Sequence, residues 1–183
     1  MGIIGKDFKY KKVNNFLEDN ERELIFYTCK LRHEGNMKFF DIDFNKNGDS
    51  GFYGDNYMES LLMLKLPLME KLTGKELWPT YSYWRAYTHL ADLAKHEDRE
   101  SCEISVTVNI GGDGTDWPIY IDDNEILLKP GDAAIYLGME LSHYRKEFLG
   151  DFQFQTFLHY VDKNGPYKNF KFDKRPKIGG IKV

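Results

Sequence analysis

The spacing of apolar residues divides the chain into a helical first part and a β-rich second part. The first predicted helix starts at a capping-box pattern in residues 20–23 and stops before Gly35. Apolar residues at a spacing of three or four positions then share one face of this helix, which we expect to pack in the core. That face consists of Leu24, Tyr27, Thr28 and Leu31.

A second helix is predicted after a polar loop that covers residues 41–55. Asn56 and Glu59 form another capping-box pattern, residues 57–72 are dense in Leu and Met, and Gly74 is the stop signal. Pro67 lies inside this segment, where its ring should kink or divide the helix. The Leu and Met side chains of this segment are expected to be core residues.

From Thr80 onward the apolar period changes to two, which is typical of β-strands. Clusters of Gly, Asp, Asn and Pro separate the apolar runs and predict turns. Helices followed by many short strands favour helices packed on a β-sandwich or jelly roll. The predicted strands cover residues 80–88, 103–110, 118–121, 125–128, 133–137 and 152–161.

Composition narrows the class of protein. The 183 residues are 42% apolar, enough for one packed domain, and the net charge is −4. A chain with a net negative charge is not expected to bind nucleic acid or anionic lipid, and the basic stretch 168–182 is interpreted as a solvated end.

Cys29 and Cys102 are expected to be reduced thiols. Without a signal-like N-terminus or a membrane-length apolar run, the chain is predicted to be cytoplasmic.

The candidate chemistry lies in His96-Glu97-Asp98 and the later His143. At a strand end, residues i and i+2 point to the same side, so His96 and Asp98 can reach one ion, while Glu97 points away. His143 must then come from a neighbouring strand. Two imidazoles and one carboxylate are the ligands of a mononuclear non-haem Fe(II) site, which indicates an oxygenase. The alternative is that the two histidines are unconnected and lie on the surface.

The segment of residues 81–162 resembles the sequences of a known protein family. The HxD motif at His96, the turn at residues 129–133 and the segment around His143 resemble the Fe(II)/2-oxoglutarate-dependent dioxygenase superfamily, in particular its prolyl-4-hydroxylase-like branch. The resemblance implies a double-stranded β-helix (jelly roll) core, mainly β with N-terminal helices. It also implies His96, Asp98 and His143 as ligands of Fe(II), with 2-oxoglutarate and O₂ as co-substrates.

One position departs from the family's pattern. The family usually has an Arg or Lys about ten residues after the distal His, where it pairs with the distal carboxylate of 2-oxoglutarate. This chain has Gln153 there, and a neutral amide forms weaker bonds to a carboxylate than a cation does. Arg145 and Arg85 are candidate replacements, and Tyr87 could add a hydroxyl. Either arginine could instead form an ordinary surface ion pair. His159, on the same strand face as Gln153, is expected to be a hydrogen-bonded interior residue.

The predicted function is that of a 2-oxoglutarate-dependent dioxygenase that hydroxylates a peptidyl proline or a small amino-acid-like molecule. The alternatives are an inactive jelly-roll binding module and a cupin-like metal protein that does not use 2-oxoglutarate. Residues 1–183 are predicted to be one domain. It has a helical part (1–78), a β-helix core (79–162) and a basic tail (163–183). The sequence leaves the oligomeric state open.

Overall fold

Two antiparallel sheets pack against each other, and two α-helices cover the outer side of the larger sheet. The computed structural model describes residues 9–35, 43–44 and 50–180. The helices are Asp19–Glu34 (α1) and Asn56–Thr73 (α2), and short 3₁₀ segments cover Glu100–Cys102 and Lys168–Lys174. The strands in the described part are Tyr10–Val13 (β1), Asp43–Phe44 (β2), Ser50–Tyr53 (β3), Leu77–Thr88 (β4), Leu93–His96 (β5), Ile104–Gly112 (β6), Ile119–Ile121 (β7), Asn124–Ile126 (β8), Ala133–Tyr136 (β9), His143–Arg145 (β10) and Phe152–Asp162 (β11).

The larger sheet has seven strands in the order β1-β9-β6-β11-β4-β3-β2, and the smaller has four in the order β5-β10-β7-β8. Long strands β4, β6 and β11 form the centre of the larger sheet, as their period-two pattern predicts. Alternate residues of β11 divide between the two faces: Phe154 and Leu158 join the core under the helices, while Gln153 and His159 occupy the other face. The polar face of β11 therefore lies between the sheets.

The first helix turns a different side to the core than its sequence suggests. Glu21 accepts a hydrogen bond from the Glu18 amide at 2.8 Å, so the helix begins earlier than the predicted capping box. Ile25 and Cys29 are its buried residues. The expected core face is wrong, since Leu24, Tyr27 and Leu31 are 59, 54 and 68% exposed.

The second helix runs through Pro67 as one element, so of the two predicted effects, a kink or a division, the division does not occur. Pro67 removes the bond to the Met63 carbonyl, but both residues lie on the exposed side, where water can hydrate that carbonyl. Asp55 caps the start by accepting from the Tyr57 amide at 2.9 Å, and Gly74 ends the helix at φ 69°. Residues 41, 42 and 45–49 of the predicted polar loop 41–55 lie outside the described residues, while residues 43–44 and 50–53 of this loop form strands β2 and β3.

The basic C-terminal stretch is not a solvated end. Asp173 and Arg175 are 1 and 5% exposed, and Arg175 forms an ion pair with Glu59 of α2 at 2.6 Å. Two charges buried this deeply need partners, and the rest of the fold supplies them. Residues 181–183 lie outside the described part of the chain. None of the described helices combines the length and the apolar character that crossing a bilayer requires.

Candidate metal centre and co-substrate pocket

Strands β5 and β10 bring the three predicted ligands together. His143, the first residue of β10, pairs directly with His96, the last residue of β5. Asp98 follows two residues later, and its Oδ1 lies 3.8 Å from His96 Nε2 and 3.7 Å from His143 Nε2. One ligand atom from each residue lies within 4.8 Å of the other two, a spacing that one ion can bridge.

Backbone carbonyls set the tautomer of both imidazoles. His96 Nδ1 lies 2.7 Å from the Ala94 oxygen, and His143 Nδ1 lies 3.0 Å from the Leu141 oxygen. A carbonyl only accepts, so each Nδ1 carries the proton and each Nε2 presents its lone pair to the cluster. Burial lowers the pKa of His143, which keeps that imidazole neutral, the form that binds metals.

The carboxylate of Asp98 is oriented from two sides. Its Oδ2 accepts a hydrogen bond from Ser105 Oγ at 2.6 Å, which leaves Oδ1 facing the imidazoles. Its backbone amide donates to the Gly138 oxygen at 2.8 Å. A Cβ at Gly138 would collide with Asp98 Oδ2 and lie 2.6 Å from Ser105 Oγ, so only glycine leaves room for this contact.

Ser105 also connects Asp98 to His159, whose Nδ1 lies 3.0 Å from the same hydroxyl oxygen. Because an ionised carboxylate can only accept, the serine proton goes to Asp98 and His159 Nδ1 must donate to the serine oxygen. Burial lowers the pKa of His159 to about 4, so the imidazole is neutral at physiological pH. The expectation of a hydrogen-bonded interior His159 is confirmed.

Within the part of the chain that the structure describes, the cluster is exposed on the side of His96 and buried on the side of His143. The side chains of His96, Asp98 and His143 are 40, 15 and 3% exposed. The ring of Tyr136 lies 4.7 Å from that of His143 and covers the buried side. A ligand can therefore approach from the side of His96, while the other side is closed by packed side chains.

A buried cation lies farther along β10. Arg145 is 2% exposed and shares the inward face of the strand with His143, two residues earlier. Its Nη1 donates to the Trp117 oxygen at 2.6 Å, and its guanidinium lies 4.8 Å from the Trp117 ring centroid. The described residues offer no hydrogen-bond partner to Nε or Nη2. Burial lowers the pKa of Arg145 to about 10, and the group still carries its charge at pH 7.

The other predicted co-substrate residues lie on the neighbouring strands β4 and β11 of the larger sheet. Tyr87 is buried, and its ring centroid lies 4.8 Å from that of Trp117. The guanidinium of Arg85 lies 4.3 Å from the centroid of the Tyr87 ring. Gln153 pairs with Tyr87 across strands β11 and β4, and its Oε1 accepts from Gln155 at 3.1 Å. The fold thus gathers all four candidates between the sheets, with Arg145 the most deeply buried cation among them.

Several residues of this site were not found from the sequence. Ser105 and Gly138 orient Asp98, while Trp117 and Tyr136 pack on Arg145 and His143. Ser105 belongs to the polar half of the alternating pattern in β6, and it is fully buried because that face lies inside the sandwich. A polar residue that alternates with Val and Ile in a central strand is the signal that could have indicated it.

Solved structures share this architecture. The chain superposes on a prolyl-4-hydroxylase from Pseudomonas putida with a TM-score of 0.63 and 15% identity, covering 85% of this chain and 94% of that one. The viral collagen prolyl hydroxylase of Paramecium bursaria Chlorella virus-1, in complex with 2-oxoglutarate, gives 0.63 and 11%, covering 87 and 98%. HygX from Streptomyces hygroscopicus, with nickel, 2-oxoglutarate and hygromycin B bound, gives 0.64 and 10%, covering 85 and 84%.

These likenesses define the class at the level of fold. The chain has the jelly-roll fold of the 2-oxoglutarate- and Fe(II)-dependent oxygenases, prolyl-4-hydroxylases among them, and the predicted mainly β fold with N-terminal helices is confirmed. Neither a family model nor a curated protein matches the sequence.

Proposed function

We propose that this chain is a Fe(II)- and 2-oxoglutarate-dependent dioxygenase in which His96, Asp98 and His143 bind the metal and Arg145 binds the distal carboxylate of 2-oxoglutarate. The observation that carries the proposal is the buried guanidinium of Arg145 beside the His-Asp-His cluster, with two nitrogens that lack a partner among the described residues. Two neutral imidazoles and one carboxylate are the donor set that suits Fe(II).

The energetics of Arg145 favour an anionic ligand. An isolated charge is costly to bury, and the described residues provide no carboxylate in an ion pair with this guanidinium. A bound carboxylate would accept from Nε or Nη2 and supply the missing negative charge. Residues two apart in a strand lie about 6.6 Å apart at Cα, which suits a short dicarboxylate with one end near His143 and the other at Arg145.

Each residue then has a defined task. Fe(II) held by His96, Asp98 and His143 would supply the redox chemistry that couples decarboxylation of 2-oxoglutarate to oxidation of a substrate. The carbonyl bonds to Nδ1 keep both imidazoles in the ligating tautomer. Trp117 packs against Arg145 and excludes water from the pocket, which strengthens the ion pair.

For the substrate, we propose a peptidyl proline or a small amino-acid-like molecule, entering from the side of His96. The prolyl hydroxylases among the fold relatives support this choice. Succinate formation with 2-oxoglutarate, with and without proline-containing peptides or free amino acids, tests it. Stimulation by neither kind of molecule would contradict the substrate assignment.

The function is tested by anaerobic titration of the apo protein with Fe(II) and then 2-oxoglutarate, following the metal-to-ligand charge-transfer band in the visible. The wild type should develop the band, and Asp98→Ala should not. Arg145→Met should weaken 2-oxoglutarate binding about 10- to 150-fold, because a hydrogen-bonded charged pair is lost. Arg145→Lys should restore part of the affinity for 2-oxoglutarate because it keeps the charge. It replaces Arg145→Met as the test variant if the methionine variant does not fold.

Arg85→Met is the matched control, because Arg85 is a second arginine beside Tyr87 on β4 and is only half-buried. It should leave the affinity for 2-oxoglutarate within a few fold of the wild type. Stoichiometric Fe(II) binding without the band would overturn the co-substrate assignment in favour of a cupin-like metal protein. If the protein binds no Fe(II), the remaining alternative is the inactive jelly-roll binding module.

A further inference from the structure

The C-terminal segment reaches the loop that carries Asp98. Lys168–Lys174 packs against β4 and the 3₁₀ turn Glu100–Cys102, and its last three residues adopt left-handed backbone conformations. The φ angles of Phe172, Asp173 and Lys174 are 56°, 55° and 63°. Residues with a Cβ disfavour this region, so three in succession persist only where side-chain contacts hold them.

The side chain of Asp173 makes those contacts. It is 1% exposed and accepts two hydrogen bonds from one guanidinium, Arg99 Nη1 at 2.7 Å and Nη2 at 3.0 Å. It also accepts from the Tyr53 hydroxyl at 2.6 Å. A buried carboxylate with a two-pronged arginine and a phenol is held in one geometry.

Arg99 connects this carboxylate to the candidate metal centre, because it follows Asp98 directly in the chain. Its guanidinium also lies 4.7 Å from the ring centroid of Tyr81, which packs on His159 at 4.5 Å. The backbone oxygen of Arg99 accepts from the Cys102 amide at 2.8 Å and begins the 3₁₀ turn. Both the backbone and the side chain of Arg99 are thus fixed beside Asp98.

We infer that Asp173 is a positioning residue for the metal site: through Arg99 it holds the loop of Asp98 in the geometry that lets His96, Asp98 and His143 share one ion. The C-terminal segment is then part of the site's construction and not only a cover for strand β4. This inference rests on the proposed metal site.

The test is a titration of the apo protein with Co(II), monitored through the visible ligand-field spectrum of the bound ion. This measurement requires no enzymatic turnover. Asp173→Asn keeps the size of the side chain and tolerates the left-handed backbone, so it changes mainly the charge. Its Kd for Co(II) should rise about 10- to 100-fold, as for other groups that orient a metal ligand, and its spectrum should differ from that of the wild type.

Two further variants separate positioning from stability. Asp173→Gly removes the carboxylate and also relieves the backbone strain, so it should weaken Co(II) binding as much as Asp173→Asn with a smaller loss in Tm. Lys65→Met breaks the ion pair with Glu21 between the helices, which measures 2.6 Å and does not touch the C-terminal segment. It should lower Tm but leave the Kd for Co(II) unchanged.

A double-mutant cycle tests whether Asp173 affects the metal site through Arg99. If Asp173 acts through Arg99, then Arg99→Gln with Asp173→Asn should weaken Co(II) binding no more than either change alone. Equal Kd and spectra for wild type and Asp173→Asn, with Tm lowered as in Lys65→Met, would overturn the inference and leave the proposed function standing. A wild type that binds no Co(II) would overturn both.

Discussion

The hydroxyl of Ser105 allows the most direct test of how the protein orients Asp98. Ser105→Ala removes one oxygen atom that donates to Asp98 Oδ2 at 2.6 Å and accepts from His159 Nδ1 at 3.0 Å. The site is fully buried at Ser105, so no water replaces the hydroxyl at its own position. Asp98 then loses its only side-chain hydrogen-bond donor among the described residues.

The size of the effect follows from the charge and the exposure of Asp98. A hydrogen bond to a charged acceptor contributes about 1.5 to 3 kcal/mol. The Asp98 side chain is 15% exposed, so in the variant the carboxylate can rotate and accept a hydrogen bond from water, which offsets part of the lost free energy. We expect the Kd for Co(II) to rise about 10- to 30-fold, which equals roughly 1.4 to 2 kcal/mol.

The assay is a calorimetric or spectroscopic titration of the apo protein with Co(II). Ser82→Ala is the matched control, since Ser82 is equally buried on the opposite face of the same sheet and its Oγ has no partner among the described residues. Its removal should be neutral or slightly stabilising and leave Co(II) binding unchanged. A Ser105→Ala protein that binds Co(II) as tightly as the wild type would refute the assignment of Ser105 as the group that orients Asp98.

Two further substitutions test neighbouring parts of the argument. Gly138→Ala should weaken Co(II) binding at least as much as Ser105→Ala in the same titration, because its Cβ would occupy the space of Asp98 Oδ2; unchanged binding would show that the loop can shift. Glu59→Met leaves Arg175 buried without its counter-charge and should cost about 3 to 5 kcal/mol in urea unfolding. A loss below 1 kcal/mol would mean that Arg175 finds another partner or water.

Local patterns were sufficient for the long elements. Strands β4, β6 and β11 and helix α2 have many residues over which a period can be recognised, and the structure places them close to the predicted positions. Strands of three or four residues, such as β5 and β10, are too short to show a period of their own. A neighbouring strand for His143 was nevertheless predicted from the ligand set, and the structure pairs His143 directly with His96.

Contacts between distant residues explain what the sequence did not reveal. On α1, Ile25 and Cys29 form the buried side because the sheet meets that face, although Leu24 and Leu31 make an equally regular apolar stripe. Basic residues near the C-terminus suggested solvation, yet Asp173 finds its partner 74 positions earlier in the chain. The division of the chain at residues 78 and 162 stays a prediction.

The departure at Gln153 and the burial of Arg145 are best understood together. Strand β11 offers two neutral amides, Gln153 and Gln155, bonded to each other at 3.1 Å, where a cation was expected. Arg145 reaches the same space between the sheets from β10, next to Tyr87, which pairs with Gln153. A second cation on β11 would face Arg145 in a region of low dielectric, where like charges repel strongly. Neutral amides opposite the buried Arg145 are therefore the consistent arrangement, and under the proposed function the charge on β10 would serve a single carboxylate.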